Sequence, residues 1–288
     1  MRVDFHVHST ASDGTFAPAR LAELAQERKF ACLSLTDHDN MDGVEECRAA
    51  CRERGVPFVA GMELSIEPGA GFDKFHLLAI GVDPAAERLL ALRRRILSGR
   101  DDRNRLIIER FAKIGIEIPQ GELDSYAHGD VLARPHFAAW LRDHGHATGI
   151  KDAFAKYLLR DSPPETCCYA ERWRPSQEEA FGAVHEAGGL CVMAHPKYWR
   201  RAWTDGCVDY DAARRELSRL KEAGLDGLEA KYQANTAGED VEFTRIADAV
   251  GLLKTAGSDF HGSNKPTIHL GMDVDESFIA PFLEAIVV

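Results

Sequence analysis

Histidine and carboxylate residues recur where the predicted strands of this sequence end. In Asp4-Phe5-His6-Val7-His8, strand alternation places Asp4, His6 and His8 on one face and the apolar residues on the other. Two imidazoles at this spacing can bind one metal ion. Similar motifs follow along the chain: Thr36-Asp37-His38-Asp39, Gly61-Met62-Glu63-Leu64-Ser65, Phe75-His76, Ala194-His195-Pro196 and Ser258-Asp259-Phe260-His261-Gly262.

The number of these motifs indicates a metal site. One isolated histidine is more often an ordinary core or surface residue, but here six of the twelve histidines occupy equivalent positions. Imidazoles and carboxylates gathered at the edge of a core are costly unless a cation binds them. Nitrogen and oxygen ligands without thiolates suit borderline divalent ions better than calcium.

Strands and amphipathic helices alternate over much of the chain. This order predicts parallel strands joined by right-handed crossovers, and hence a barrel with its active site at the carboxyl ends of the strands. Seven strands are predicted, at residues 2–8, 30–35, 57–63, 75–82, 190–194, 227–230 and 252–257. A capping box of Ser176 and Glu179 predicts the start of one helix.

The alternation stops between residues 83 and 164, where the sequence is almost entirely helical. We therefore predict two parts: a metal-binding barrel formed by residues 1–82 and 165–288, and a helical insertion at 83–164 that contributes to the substrate pocket.

The composition of the chain limits the kinds of molecule that it is expected to bind. The net charge of −11 argues against duplex DNA, whose binding requires many lysine and arginine contacts to phosphates. A small anionic ligand stays compatible with this charge, because local basic residues and metal ions set the field inside one cleft. The sequence has no apolar run of bilayer length, so we expect a cytoplasmic protein without a membrane partner. Seven cysteines without paired C-x-x-C spacing predict no disulfide framework. The oligomeric state stays open.

Taken together, the motifs resemble the series found in the polymerase and histidinol phosphatase (PHP) family. The resemblance covers the chain apart from the helical insertion. It implies an α/β fold, a distorted seven-stranded (β/α)7 barrel of the PHP type with a helical insertion. It also implies phosphoester hydrolysis with two or three divalent ions, most often Mn²⁺, with Zn²⁺ or Fe²⁺ as alternatives.

The same resemblance implies a set of metal ligands. The first ion would be held by His6, His8, Glu63 and Asp259, the second by the bridging Glu63 with His76 and His195, and the third by Asp13, His38 and His261. Some relatives have histidine where this chain has Asp13. The candidate catalytic residues are Asp37, His195 and His261, with Asp37 either supporting a ligand or donating a proton, the former being favoured. Two ions about 3.5 to 4 Å apart can hold a bridging hydroxide that attacks phosphorus.

Substrate choice depends on groups outside the ligand set. Ala133-Arg134-Pro135-His136 resembles a segment of the PHP branch that acts on nucleoside 3′,5′-bisphosphates, and Arg134 offers a planar donor fork for a second phosphate. Arg134 and His136 are also compatible with a purely structural role at a helix end. Further phosphate-binding candidates are Lys197, Lys265 and His269.

Four functional hypotheses follow. The first is a metal-dependent phosphatase that removes the 3′-phosphate from nucleoside 3′,5′-bisphosphates, such as 3′-phosphoadenosine 5′-phosphate, leaving a 5′-mononucleotide. The second is 5′-to-3′ exonucleolysis of short oligoribonucleotides, and the third is hydrolysis of histidinol phosphate. The fourth, of a different class, is a noncatalytic PHP module that supports a partner. The complete set of candidate ligands argues against the fourth.

Overall fold

The chain forms two compact units in its computed structural model. The structure describes residues 1–67, 74–126, 132–199, 203–204 and 207–286. The barrel unit comprises Met1–Arg93 and Pro175–Val288, and the helical unit comprises Arg94–Arg174. The division falls inside one long helix, whereas the predicted insertion begins just before that helix.

Eight strands of the barrel unit form one sheet and two short strands form a separate hairpin. The order in the sheet is β10-β1-β2-β3-β4-β5-β8-β9. The strands in chain order are β1 (Arg2–Asp4), β2 (Cys32–Leu35), β3 (Phe58–Ile66), β4 (Phe75–Ile80), β5 (Leu190–Met193), β6 (Trp203–Thr204), β7 (Cys207–Val208), β8 (Gly227–Tyr232), β9 (Leu253–Gly257) and β10 (Met272–Asp273).

The sheet nearly closes on itself through the chain that follows β1 and β9. The amide of Phe5 donates to the carbonyl of Ala256 at 3.1 Å, and the amide of Asp259 donates to the carbonyl of His6 at 2.8 Å. The predicted barrel is confirmed, and each of its seven strands is present. The eighth strand, β10, pairs antiparallel with β1 and was not predicted.

Strand β4 departs from the predicted parallel arrangement. It is antiparallel to both β3 and β5, whereas β1–β2, β2–β3, β5–β8 and β8–β9 are parallel. The physical reason is that β3 ends at Ile66 and β4 begins at Phe75. A connection this short can join antiparallel neighbours but is too short for a crossover to a parallel strand. His76 therefore lies near the beginning of its strand, yet opposite Ser65 near the end of β3. Because β4 runs antiparallel to β3, His76 at its beginning lies at the same edge of the sheet as the end of β3.

The helices of the barrel unit start and stop at residues with clear local preferences. Pro18 begins α1, and Gly55 and Gly251 end α2 and α9 in the left-handed conformation. The predicted capping box at Ser176 is confirmed, with the Ser176 hydroxyl accepting the Glu179 amide at 3.2 Å. These helices are α1 (Pro18–Glu27), α2 (Val44–Arg54), α7 (Gln177–Glu186), α8 (Tyr210–Glu222), α9 (Ala237–Val250) and α10 (Glu276–Ala285). The prediction missed α10.

The helical unit has a core of its own. Its helices are α3 (Glu87–Lys113), which begins in the barrel unit, α4 (Gln120–Asp124), α5 (Arg134–Asp143) and α6 (Ile150–Ala153), followed by a π-helical turn at Phe154–Leu158. Phe111, Phe137 and Trp140 lie at the centre of an apolar cluster of this unit. Such a cluster supplies the burial that short helices need, because they are marginal in isolation.

Two further sequence expectations concern cysteines and membranes. Six cysteines are free thiols, and the side chain of Cys207 lies outside the described residues. None of the helices in the described ranges combines the length and apolarity needed to cross a membrane.

Candidate metal centre

Glu63 lies at the centre of the predicted ligand set. One of its carboxylate oxygens lies 2.8 Å from His76 Nδ1 and 3.1 Å from His195 Nε2. The other oxygen lies 2.8 Å from His38 Nδ1 and 3.3 Å from His8 Nε2. Burial alone would raise the pKa of Glu63, but the surrounding imidazoles lower it well below its usual value. The carboxylate is therefore ionised and faces histidines from several strands.

His6, His8 and Asp259 form a second group beside Glu63. Asp259 Oδ1 lies 3.6 Å from His6 Nε2 and 3.4 Å from His8 Nε2. Burial would raise the pKa of Asp259, yet the imidazoles, His6 first, hold it well below its normal range. The ligand atoms of this group lie within 4.8 Å of one another.

Asp13 joins His8, His38 and His261 in another group, whose ligand atoms also lie within 4.8 Å of one another. Asp13 Oδ1 lies 3.2 Å from His261 Nε2, and Asp13 Oδ2 lies 3.9 Å from His38 Nε2. The structure thus brings all nine predicted ligands together. Their division among individual ions stays a prediction, since His8 faces both groups, with Nδ1 3.8 Å from Asp13 Oδ1 and Nε2 3.4 Å from Asp259 Oδ1.

The arrangement fits divalent metal ions. Among the described residues, His6 Nε2 and both ring nitrogens of His8 are buried without a hydrogen-bond partner, although such atoms normally have one. The Nε2 atoms of His6 and His8 lie 3.4 and 3.3 Å from one carboxylate oxygen of Glu63. These separations match ligands that surround one ion at bond lengths of about 2.0 to 2.2 Å. Nitrogen and carboxylate donors suit borderline divalent ions.

Two ligands stand on strained backbone directly after their strands. His195 has φ 29° and Asp259 has φ 60°. Left-handed conformations are uncommon for residues other than glycine and persist where the surrounding structure enforces them, often at functional sites. Hydrogen bonds hold both residues in this conformation. The amide of His195 donates to the side chain of Glu229, and the amide of Asp259 donates to the carbonyl of His6.

The sequence analysis missed a buried carboxylate that supports the ligands, Glu229 on β8. Glu229 is fully buried, lies 2.9 Å from His6 Nδ1 and accepts the backbone amide of His195 at 2.6 Å. Gly257 makes room for this contact, since a Cβ there would lie 2.2 Å from Glu229. The available signal was a lone glutamate inside an apolar strand.

Asp4 and Asp37 support the loops that carry ligands. Asp4 is fully buried and accepts the amide and hydroxyl of Ser258, at 2.9 and 2.6 Å. Burial raises the pKa of Asp4 to about 6 in spite of these hydrogen bonds. Asp37 accepts the amide of Ser9 at 2.7 Å and the hydroxyl of Ser12 at 2.6 Å. This geometry favours a supporting role for Asp37 over proton donation.

Two barrel residues contact the far oxygen of Asp259. The Tyr232 hydroxyl donates to Asp259 Oδ2 at 3.0 Å, and Lys265 Nζ lies 2.5 Å from the same atom. Burial and the nearby carboxylates, Asp259 first, raise the pKa of Tyr232, so that it remains a donor. Lys265, a predicted phosphate-binding residue, therefore lies beside the metal ligands.

The other predicted substrate-binding residues have local partners. Lys197 Nζ contacts the carbonyl of Ala234 at 2.7 Å and Glu239 at 3.0 Å. His269 is exposed, and its carbonyl accepts from Gln233 at 2.8 Å. In the helical unit, the Ala133 amide donates to His136 Nδ1 at 3.0 Å, so His136 caps α5. Arg134 begins α5 and donates to the Leu158 carbonyl at 3.1 Å.

Known proteins are similar to this chain in sequence and in fold. A model of the PHP domain matches residues 4–117. The 3′,5′-nucleoside bisphosphate phosphatase of Chromobacterium violaceum is 33% identical over 264 residues, which cover 90% of this chain and 87% of that protein. The chain belongs to the PHP family.

Two more relatives span nearly the whole chain. A 5′-3′ exoribonuclease of Haemophilus influenzae is 28% identical over 90% of this chain and 90% of its own length. The structure of an amidohydrolase from Chromobacterium violaceum, with bound sulfate and no metal, superposes with a TM-score of 0.82 at 30% identity and covers 98% of this chain and 95% of that chain. This PHP protein is a metal-dependent phosphoric ester hydrolase, because its family and its ligand cluster agree.

Proposed function

We propose that this PHP protein removes the 3′-phosphate from nucleoside 3′,5′-bisphosphates and releases a 5′-mononucleotide and inorganic phosphate. The observation that carries the proposal is the extent of similarity to the bisphosphate phosphatase of Chromobacterium violaceum. That similarity covers 90% of the chain and therefore includes most of the helical unit as well as the barrel. Similarity limited to the barrel would support phosphoester hydrolysis without indicating a substrate.

The ligand cluster supplies the hydrolytic part of the proposal. Divalent ions bound there would activate a water molecule and neutralise charge on the phosphoryl oxygens. The contribution of the chain is to hold the donor atoms in place before substrate arrives. Glu229 fixes His6 and the backbone of His195, while Tyr232 and Lys265 hold Asp259. Mn²⁺ is the ion that we propose, with Zn²⁺ or Fe²⁺ as alternatives.

Arg134 is the proposed donor to the 5′-phosphate. Its guanidinium lies over the ring of Tyr169, 5.3 Å from the centroid, and one nitrogen is held by the carbonyl of Leu158. Both contacts fix the orientation of a group that can bind phosphate with two parallel hydrogen bonds. Preorganisation of this kind reduces the entropy lost on binding.

A substrate panel tests the proposal. Manganese-loaded protein is assayed for phosphate release from adenosine 3′,5′-bisphosphate, 3′-AMP, 5′-AMP, a 5′-phosphorylated dinucleotide and histidinol phosphate. We expect the highest kcat/KM for the bisphosphate, with 5′-AMP as the nucleotide product. The Asp259→Asn variant, which loses a charged ligand, should reduce turnover by orders of magnitude and so excludes a contaminating phosphatase.

Exonucleolysis is a second candidate, because the exoribonuclease of Haemophilus influenzae also covers 90% of the chain. It predicts the highest kcat/KM for the 5′-phosphorylated dinucleotide. That result would reject the bisphosphate proposal, and so would equal rates with the bisphosphate and 3′-AMP. A preference for histidinol phosphate would instead indicate a histidinol phosphatase.

A further inference from the structure

The helical unit buries an arginine that has no carboxylate partner among the residues that the structure describes. Arg103, on α3, is only 4% exposed. Its Nε donates to the side-chain oxygen of Asn104 at 2.8 Å, and one Nη donates to the carbonyl of Leu132 at 3.4 Å. Both acceptors are neutral, and within the described ranges Arg103 has no other hydrogen-bond acceptor. None of the described residues therefore compensates the charge of this guanidinium, and three of its five N–H groups do not donate to them.

Other guanidinium groups surround Arg103. Burial and the charges of Arg100, Arg172, Arg134 and Arg174, in that order, lower the pKa of Arg103 to about 8. Arg134 shows the same effect, since burial first, and the charges of Arg174 and Arg100, lower its pKa too. An arginine pKa below its usual range of 12 or more is explained here first by burial and then by the positive charges nearby.

A short segment connects Arg103 with Arg134. The carbonyl of Leu132 accepts from Arg103 and also from the Asn104 side chain, at 3.4 and 3.1 Å. Leu132 lies two residues before Arg134, the first residue of α5. Neighbouring residues of α3 thus fix the start of the helix that presents Arg134. Arg134 donates only to the Leu158 carbonyl within the described part of the chain, which is again a neutral acceptor.

Such an arrangement is unfavourable in the absence of an anion. A buried charge is costly unless a charge of opposite sign or several hydrogen bonds compensate it, and like charges add to that cost. Protein sites that collect arginines in this way bind phosphate groups, whose oxygens match the donor fork of a guanidinium. Two negative charges offset the two positive charges of Arg103 and Arg134 better than one does.

We propose that Arg103 and Arg134 form a binding site for the dianion of a phosphate monoester inside the helical unit. Arg103 is the new element of this site, and it is not one of the candidate metal ligands. The ligand is a phosphate group, and it can come from either of two molecules. One is the substrate, through its non-scissile phosphate, and the other is a separate phosphate-bearing molecule that regulates the enzyme. The first source rests on the proposed function, whereas the site itself does not.

Equilibrium binding tests the site without turnover. The full-length protein is freed of divalent ions with EDTA and titrated calorimetrically with inorganic phosphate and with 5′-AMP in a chloride buffer. We expect both ligands to bind, and Arg103→Gln and Arg134→Gln each to weaken binding at least tenfold. Arg105→Gln is the matched control, because Arg105 lies on the same helix but is exposed and pairs with Asp102. It should leave the affinity unchanged.

A second variant guards against misfolding of Arg103→Gln. Arg103→Lys keeps the charge but lacks the planar fork, so it should retain the fold and still weaken phosphate binding several-fold. The proposal is rejected if the metal-free parent binds no phosphate at millimolar concentrations. It is also rejected if either folded Arg103 variant binds phosphate as tightly as the parent does.

Kinetics then distinguish the two sources. If the site takes the substrate's second phosphate, Arg103→Gln raises KM for adenosine 3′,5′-bisphosphate at least tenfold and leaves 3′-AMP within twofold. If it takes a separate molecule, inorganic phosphate changes kcat of the parent with every substrate, and Arg103→Gln abolishes that change. Failure of the bisphosphate preference would reject the proposed function and leave the binding result standing.

Discussion

Glu229 Oε1 lies 2.9 Å from Nδ1 of His6 inside the barrel. The opposite ring nitrogen of His6 faces Glu63 at 3.4 Å and Asp259 at 3.6 Å. A carboxylate behind an imidazole fixes the orientation of the ring and increases its basicity toward a metal ion. Glu229 therefore positions a ligand without occupying the ligand shell.

Glu229→Gln should weaken metal binding. Glutamine has nearly the same size, but it lacks the charge and offers only one oxygen to two neighbours, so one of its contacts must be lost. We expect the affinity for Mn²⁺ to fall by about 10- to 100-fold. Competition with a chelating indicator measures this directly and needs no substrate.

Asp226 provides a matched control for that experiment. It accepts the amide of Cys191 at 2.8 Å and lies 2.7 Å from His185 Nε2, which are the same kinds of contact as those of Glu229. It lies at the beginning of β8, outside the predicted ligand set. Asp226→Asn should therefore leave the Mn²⁺ affinity unchanged. An equal loss in both variants would indicate general destabilisation rather than positioning of His6.

Gly257→Ala should disrupt the same contact from the backbone side. A Cβ at this position would lie 2.2 Å from Glu229 Oε1 and 2.4 Å from His6 Cβ, and both groups belong to the packed interior. Overpacking of a core typically costs about 1 to 3 kcal/mol. We expect a decrease of that size in the free energy of unfolding, measured in urea without metal, together with weaker Mn²⁺ binding.

Gly121 supplies the comparison for this substitution. It lies in α4 with an ordinary φ, and none of the described atoms lies within 4 Å of the position that an added methyl group would take. Gly121→Ala should change stability slightly in the favourable direction, by about 0.4 to 1 kcal/mol. If Gly257→Ala proves as harmless as Gly121→Ala, Gly257 does not set the position of Glu229.

The convergence of the candidate metal ligands was predictable, because the order of the strands determines where the motifs at their ends meet. Residues that follow parallel strands converge on one edge of the sheet, whatever their separation in sequence. Glu229 was not predictable in this way, since its role depends on its distance from His6 across the barrel. Strand β4 shows a further limit, because the direction of a strand depends on its connection and not on its own residues.

The roles of basic residues were less accessible from sequence. Lys197 was predicted to bind phosphate, and its amine contacts Glu239, 42 positions away. His136 was given a capping alternative, and its ring does accept the Ala133 amide. Whether a cation is already compensated depends on such contacts, which local sequence does not specify. Arg103 had no motif at all and became recognisable only through its burial.

Arg134→Ala should act mainly on substrates with a second phosphate. Loss of a charge-assisted pair of hydrogen bonds costs about 1.5 to 3 kcal/mol or more, which corresponds to at least a tenfold increase in KM for adenosine 3′,5′-bisphosphate. The reaction of 3′-AMP should change less than twofold, because it offers no such phosphate. Steady-state kinetics on the two substrates provide the measurement.

Arg142→Ala is a suitable control, because Arg142 lies on the same helix, is exposed and pairs with Asp143. It should leave both substrates unaffected. Equal effects of Arg134→Ala on the bisphosphate and on 3′-AMP would remove Arg134 from the role of specificity determinant.

The stability of the metal-free protein should fall as the pH rises from 6.5 to 9. Burial would lower the pKa of His8, but the carboxylates of Asp259 and Glu63, 3.4 and 3.3 Å from His8 Nε2, outweigh it and raise the pKa to about 9. A pKa raised above the unfolded value of about 6.5 stabilises the fold below pH 6.5, and this stabilisation is lost as the pH rises through 9. For His8 the change is on the order of 3 kcal/mol. Urea unfolding in EDTA between pH 6.5 and 9.5 measures it.

His8→Gln should flatten this pH profile, whereas His185→Gln, at an exposed histidine outside the cluster, should not. Saturating Mn²⁺ should remove the decline in the parent protein as well. A metal ion binds the deprotonated imidazole, so the native state no longer holds the extra proton between pH 6.5 and 9. A decline of equal slope with and without Mn²⁺ would show that His8 is not a metal ligand.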